Sequence, residues 1–342
     1  MTKGKLLRRS GTAVAFLGLA LIACWGTLAI YYSNLPAALR PAAGGIFALV
    51  SAGLILSGLR RRKRRAWSAF LALFAVVLLA WWFLIPPSNN RNWQPDLAIL
   101  SWADIVGDKV TVHNIRNCDY RTETDFTVHH YDKTFDLAKL KGVDFFLVYW
   151  GSPKIAHTMM SFDFEGQGNV CISIETRKEK GEDYSTVKGF FRQYELIYVV
   201  ADERDLVRLR TNYREKGKGE DVYLYRLNVS PEVARKVFLS YLREVNRLKD
   251  RPQWYNALTE NCTTSIRKHT IPYVPNARPD WRMIVNGYID EMLYERKRID
   301  TDLPFSELKK RSYINPKARA ADKDPAFSQM IRVGIPGREH KQ

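Results

Sequence analysis

An α+β protein carried on three N-terminal transmembrane helices is the architecture this sequence predicts. Three patterns predict it: three uncharged apolar runs at the start, a middle region of short strand-like runs, and amphipathic helical segments after them. Residues 11–32, 41–59 and 66–86 carry no charge. A helix needs about 20 such residues to cross the hydrocarbon core, where every backbone polar group must be bonded internally. The second run is the least regular, opening at Pro41 and holding Gly44, Gly45 and Gly53. The first is too long for the core of a cleavable signal peptide, and two more spans follow it.

Basic residues set the orientation. Lys3, Lys5, Arg8 and Arg9 precede the first run, and Arg60, Arg61, Arg62, Lys63, Arg64 and Arg65 separate the second from the third. Only Arg40 lies between the first and second. Positive loops stay cytoplasmic, so the third span delivers everything after residue 86 outside, to the periplasm of a bacterial-type inner membrane. Trp81, Trp82 and Phe83 suit an aromatic anchor at the outer interface. The same residues account for the charge. Eleven of the 53 basic and none of the 36 acidic residues lie in 1–85, so only +6 of the formal +17 belongs to the remainder. That balance suits apposition to anionic headgroups, not a nucleic-acid footprint, and nucleic acid is not expected as a partner.

The chain therefore divides into a membrane anchor (1–85), an extracytoplasmic domain (86–315) and a polar C-terminal tail (316–342), with the tail expected to be loosely ordered. In the domain, residues 109–116, 126–131, 144–150, 155–164, 169–177, 195–201 and 221–228 read as strands, rich in β-branched and aromatic side chains. The turn residues Glu165, Gly166, Gln167 and Gly168 join two of them into a hairpin. Ser230 and Pro231 open a helix whose apolar face is Val233, Val237, Phe238, Tyr241 and Leu242. A second helix begins near Asn261 or Cys262, and a third covers about 280–296. Helices packed on an antiparallel sheet complete the class.

Two segments carry candidate chemistry. Cys262 follows a polar turn and opens a helix, where the dipole and free N–H groups stabilise a thiolate and can receive an oxyanion. His157 starts a strand. Matching the apolar faces of the hairpin pairs 163 with 169, which sets Glu175 across from His157 on the same face. A carboxylate there can hold one imidazole tautomer and support its protonated form, with Ser173 in reserve for that task. Asn261 and Thr263 flank the thiol as supporting residues. Of three cysteines outside the membrane (Cys118, Cys171, Cys262), an odd count leaves at least one without an intramolecular partner. Adjacent His129 and His130 face opposite ways in a strand, and His113 and His269 lack ligand-like spacing, so neither a metal site nor a cofactor is expected. Glu203, Arg204 and Asp205 read as an ion-paired turn, with substrate positioning as the alternative.

A histidine on one strand, a polar group on the next and an Asn-Cys pair opening a later helix resemble the circularly permuted papain-like fold. The finer pattern is similar to the Lnb-type periplasmic domain: His157-Thr158-Met159-Met160-Ser161-Phe162, then Ile172 to Arg177, then Asn261-Cys262-Thr263-Thr264. That family gives its name to a class of bacterial lipoprotein N-acyltransferases. The resemblance spans roughly residues 95–300 and implies a Cys–His site without fixing the reaction. The leading expectation is acyl transfer from phospholipid to the N-terminal amine of a lipoprotein through a thioester on Cys262, with His157 as base. Hydrolysis of a peptide or amide bond in the cell wall is the second reading, and a membrane-anchored binding module the third.

Overall fold

The computed structural model describes residues 3–61, 64–214, 217, 219–274 and 278–338. Arg62 and Lys63 of the basic run, and residues 339–342 of the expected tail, lie outside the described residues. Three helices form where the uncharged runs stand: α1 (Lys3–Tyr31), α2 (Arg40–Arg61) and α3 (Arg64–Phe83). Each is long and apolar enough to cross a membrane. The chain separates into two compact units. One holds Met1–Ser88 and Ser185–Gln193, the other Asn89–Tyr184 and Tyr194–Gln342. A short loop from the middle of the expected outer domain thus belongs with the helices, which no pattern in the sequence foretold.

Among the described residues, ten strands follow: β1 (Trp102–Val106), β2 (Lys109–Arg116), β3 (Asp119–Tyr120), β4 (Phe126–Thr127), β5 (His130–Asp136), β6 (Leu140–Tyr149), β7 (Ala156–Phe164), β8 (Gly168–Arg177), β9 (Glu195–Ala201) and β10 (Asp221–Arg226). Eight build one sheet in the order β1-β2-β9-β8-β7-β6-β10, with β5 added to β2; β3 and β4 form a separate pair. Pairing is antiparallel except where β2 meets β9. The β7–β8 turn uses Gly166 and Gly168 at φ of 68° and 79°, where a side chain would be strained. Its register, Asp163 opposite Asn169, is the one the apolar alternation requires.

Both faces of the sheet are covered, which is why Phe145 to Val148 can be apolar without interruption. On the first face, α5 (Pro231–Asp250) lays Phe238 against Phe162 and Phe164, with ring centroids 4.8 and 5.2 Å apart. Ser230 caps this helix, its side chain accepting from Val233 N–H, and Pro231 takes the first turn. Next to it lies α6 (Cys262–Thr270), with Cys262 in this core. The second face packs Phe146, Val148, Met159 and Cys171 under α4 (Glu203–Arg208) and the C-terminal segment. The expected helix near 280–296 is broken, and only Ile289–Glu295 (α7) is α-helical.

The C-terminal segment corrects the reading of 316–342 as a loose polar tail. After α8 (Phe305–Ser312), α9 (Asn315–Ala320) and α10 (Phe327–Met330) place Ile314, Ala318, Phe327, Ile331 and Ile335 in the second core. Arg332 is buried and bonds Asp144 at 2.8 Å and Glu203 at 2.6 Å. Five apolar side chains spread among many charged ones gave too faint a periodicity to read. Ile331→Ala is expected to destabilise the protein by about 2–4 kcal/mol in denaturant unfolding in detergent. A tail residue would change it by under about 0.5 kcal/mol.

Candidate functional site

The β7–β8 ladder ends at the pair Met159–Ser173. Beyond it, β7 continues beside β6 alone and β8 beside β9 alone, so His157 and Glu175 flank a gap between strands. Ser173 fills the space between them. Its hydroxyl donates to Glu175 Oε1 at 2.6 Å and stands 2.7 Å from His157 Nε2. With its own O–H directed at the carboxylate, the hydroxyl accepts from Nε2–H, which fixes the tautomer and leaves Nδ1 as the basic nitrogen. Glu175 Oε1 lies 3.8 Å from the ring, so it supports the imidazole through Ser173 and not by the direct bond expected.

Arg210 completes the cluster. Its Nη2 donates to Glu175 at 2.8 Å and its Nη1 to Glu220 at 3.2 Å; Arg214 also reaches Glu220, at 3.1 Å. Burial pushes His157 well below its ordinary value, and Arg210 adds to the effect while Glu175 opposes it. Burial alone would raise Glu175, but Arg210, with Arg214 and the Ser173 hydroxyl, holds it well below the carboxylate range. The imidazole is therefore neutral and the carboxylate charged near neutrality, the states a general base and its supporting group need. Arg210 carries no sequence signal, sitting on a π-helical turn 35 positions beyond Glu175.

Cys262 is placed differently. Asn261 caps α6 through a reciprocal box with Thr264: its side chain accepts from Thr264 N–H at 2.9 Å, and Thr264 Oγ1 accepts from Asn261 N–H at 3.0 Å. Among the described residues, the N–H groups of Cys262 and Thr263 have no hydrogen-bond acceptor, which leaves two donors at the thiol for an oxyanion. The sulfur's polar contact is Thr263 Oγ1, 3.9 Å away. No hydrogen bond joins it to His157. Cys262 packs in the first core with Ala156, Met160 and Tyr241, whereas strand alternation turns His157 with Val148 and Met159 to the second face. The expected direct Cys–His contact is thus absent from the structure.

One residue ties the two segments together. Asn286 Oδ1 accepts from the N–H of Ala156 at 2.8 Å; its Nδ2 donates to the carbonyl of Ala156 at 2.6 Å and to Thr263 Oγ1 at 2.7 Å. Ala156 precedes His157 and Thr263 follows Cys262. Gly287 makes the approach possible, because a Cβ there would lie 2.2 Å from the carbonyl oxygen of Pro153.

Beside Thr263 opens a cavity of about 140 Å³ on the first face, lined by Thr158, Met160, Ile266, Met283 and Met292, with Arg267, Arg296 and Arg298 also in its wall. The Thr158 hydroxyl is buried there without a partner among the described residues. The other thiols outside the membrane helices are buried and unbridged; burial pushes Cys118 up to about 12 and Cys171 well above its ordinary value. His269 is bonded by Tyr198 and Ser240, and His113 lies between Asp104 and Asp132. Glu203 and Asp205 are ion-paired as expected, with Arg332 and Arg116 respectively, but they are buried and belong to α4 instead of a turn.

The depressed His157 value makes a pH prediction. The unfolded imidazole titrates near 6.5 and the folded one lower, so the unfolded chain takes the proton first. Stability is full above about pH 6.5 and declines as pH falls toward the folded value. Denaturant unfolding at pH 7 and pH 5 is expected to show this loss, and H157Q to lessen it; an unchanged loss in H157Q would contradict the buried neutral imidazole.

Comparison with known proteins finds no matching curated protein and no matching solved structure. Residues 127–287 match a family model, and that span holds His157, Ser173, Glu175, Cys262 and Asn286 together. The matched model is that of the Lnb N-terminal periplasmic domain, the family that the sequence pattern resembles.

Proposed function

We propose that the protein is a thiol-dependent acyltransferase of a bacterial inner membrane, moving an acyl chain from a phospholipid to the N-terminal amine of a lipoprotein. The observation that carries this reading is the apolar cavity beside Thr263, one residue from the thiol and walled in part by arginines. Its lining suits an acyl chain and offers a peptide little to bond, which favours transfer over cleavage of the cell wall. Arginine side chains suit the phosphate of the donor headgroup.

In the proposed reaction the Cys262 thiol gives its proton to His157 Nδ1, and the sulfur attacks the ester carbonyl. The oxyanion takes the N–H groups of Cys262 and Thr263. The C–O bond breaks, the lysophospholipid alcohol leaves with the proton from His157, and a thioester remains. The acceptor amine then attacks that carbonyl, the C–S bond breaks, and amide and thiol are formed. Because the thiol and the imidazole lie on different faces of the sheet, this reaction requires a conformational change on substrate binding that brings them within reach. A second reading rests on that same separation: a lipid-binding module that holds the chain without chemistry.

Lipoprotein N-acylation by purified variants separates the two. C262A is expected to abolish transfer, and H157A to lower it about 10²–10⁴-fold. Met292→Trp, which fills the cavity, is expected to cut kcat/KM about tenfold for long-chain donors and less for short ones. Full N-acylation by C262A or H157A would remove the acyltransferase reading.

A further inference from the structure

Ser185–Gln193 runs between β8 and β9 in sequence yet packs with the membrane helices. Its last residues close two helix ends. Gln193 Nε2 donates to the carbonyl of Tyr32, just beyond α1, at 2.6 Å. Arg192 donates to the carbonyls of Trp81 and Trp82, at the end of α3, at 3.2 and 2.8 Å. Terminal helix carbonyls lack an intrahelical partner and carry the negative end of the dipole, so a guanidinium is favoured there on both counts.

The same guanidinium lies 4.2 and 4.3 Å from the ring centroids of Trp81 and Trp82. Phe191 stacks on Tyr32 at 5.4 Å and leans on Trp25 at 6.0 Å. Arg192 holds a left-handed φ of 55°, a strained conformation that persists only where surroundings enforce it. The loop is therefore fixed on the ends of α1 and α3, beside the aromatic residues of the outer interface.

Two of its apolar side chains remain uncovered: Val187 is 46% and Phe190 39% exposed. Trp82, Phe83 and Leu84, at the end of α3, are exposed as well. Apolar groups at this level, next to interfacial indoles, have the headgroup–acyl boundary as the medium that hides them. We propose that Ser185–Gln193 is an interfacial membrane-binding loop, with Val187 and Phe190 seated in the lipid of the outward-facing leaflet. The proposal depends on the membrane topology and not on the chemistry of Cys262.

The test uses the full chain in nanodiscs of phosphatidylethanolamine and phosphatidylglycerol, doped with a phospholipid bearing a diazirine near the headgroup end of its acyl chain. After irradiation, mass spectrometry maps the labelled peptides. The loop peptide is expected to be labelled along with the three helices, and V187S/F190S to lower its labelling about tenfold while the helices keep theirs. An unlabelled loop in the wild-type protein, or labelling indifferent to V187S/F190S, would overturn the proposal.

Discussion

The amide of Asn286 makes three hydrogen bonds, two to the backbone of Ala156 and one to Thr263, and so joins the strand that carries His157 to the helix that begins with Cys262. An amide side chain can do this because it accepts and donates at once. Ala156 is buried, and its two backbone groups beside Asn286 have no water to turn to. Leaving such groups unpaired costs about 1–3 kcal/mol each. The thiol and the imidazole are consequently held in register even though they lie on different faces of the sheet.

Charge is buried on the second face with its partners supplied. Glu175, Arg210, Glu220 and Arg214 form one chain of ion pairs, while Asp144, Glu203 and Arg332 form another. Such pairs add little net stability against apolar replacements, but removing one partner strands the other at a cost of about 3–5 kcal/mol. The first chain has a chemical consequence. Arg210 keeps Glu175 ionised, burial with Arg210 beside it keeps His157 neutral, and Ser173 passes the influence of the carboxylate to the ring. The second secures the C-terminal segment over Asp144 and Glu203, so residues far beyond the family match help hold the sheet that carries the site.

Local patterns told most of the fold. Apolar run length placed the three membrane helices, β-branched alternation placed β2, β7, β8 and β9, and Ser230-Pro231 and Asn261 marked the starts of α5 and α6. The hairpin register followed from apolar parity alone, and with it the grouping of His157, Ser173 and Glu175. Long-range facts were not legible. Nothing local says that Arg210 or Asn286 turns inward, that Ile331 is core rather than tail, or that Arg192 caps a membrane helix. The parity that grouped His157 with Glu175 also turned it away from α6. Which face that helix covers is set by tertiary packing, so the separation of the thiol from the imidazole could not be read in advance.

A covalent thioester at one sulfur is what distinguishes an acyltransferase from a protein that only holds a lipid chain. Intact-mass and peptide mass spectrometry of the full-length protein, incubated with phospholipid in the absence of acceptor, reads that bond directly. The account predicts an added acyl mass on the peptide containing Cys262, released when an amine acceptor or hydroxylamine is supplied. An unmodified Cys262 under conditions where lipoprotein N-acylation proceeds would contradict it.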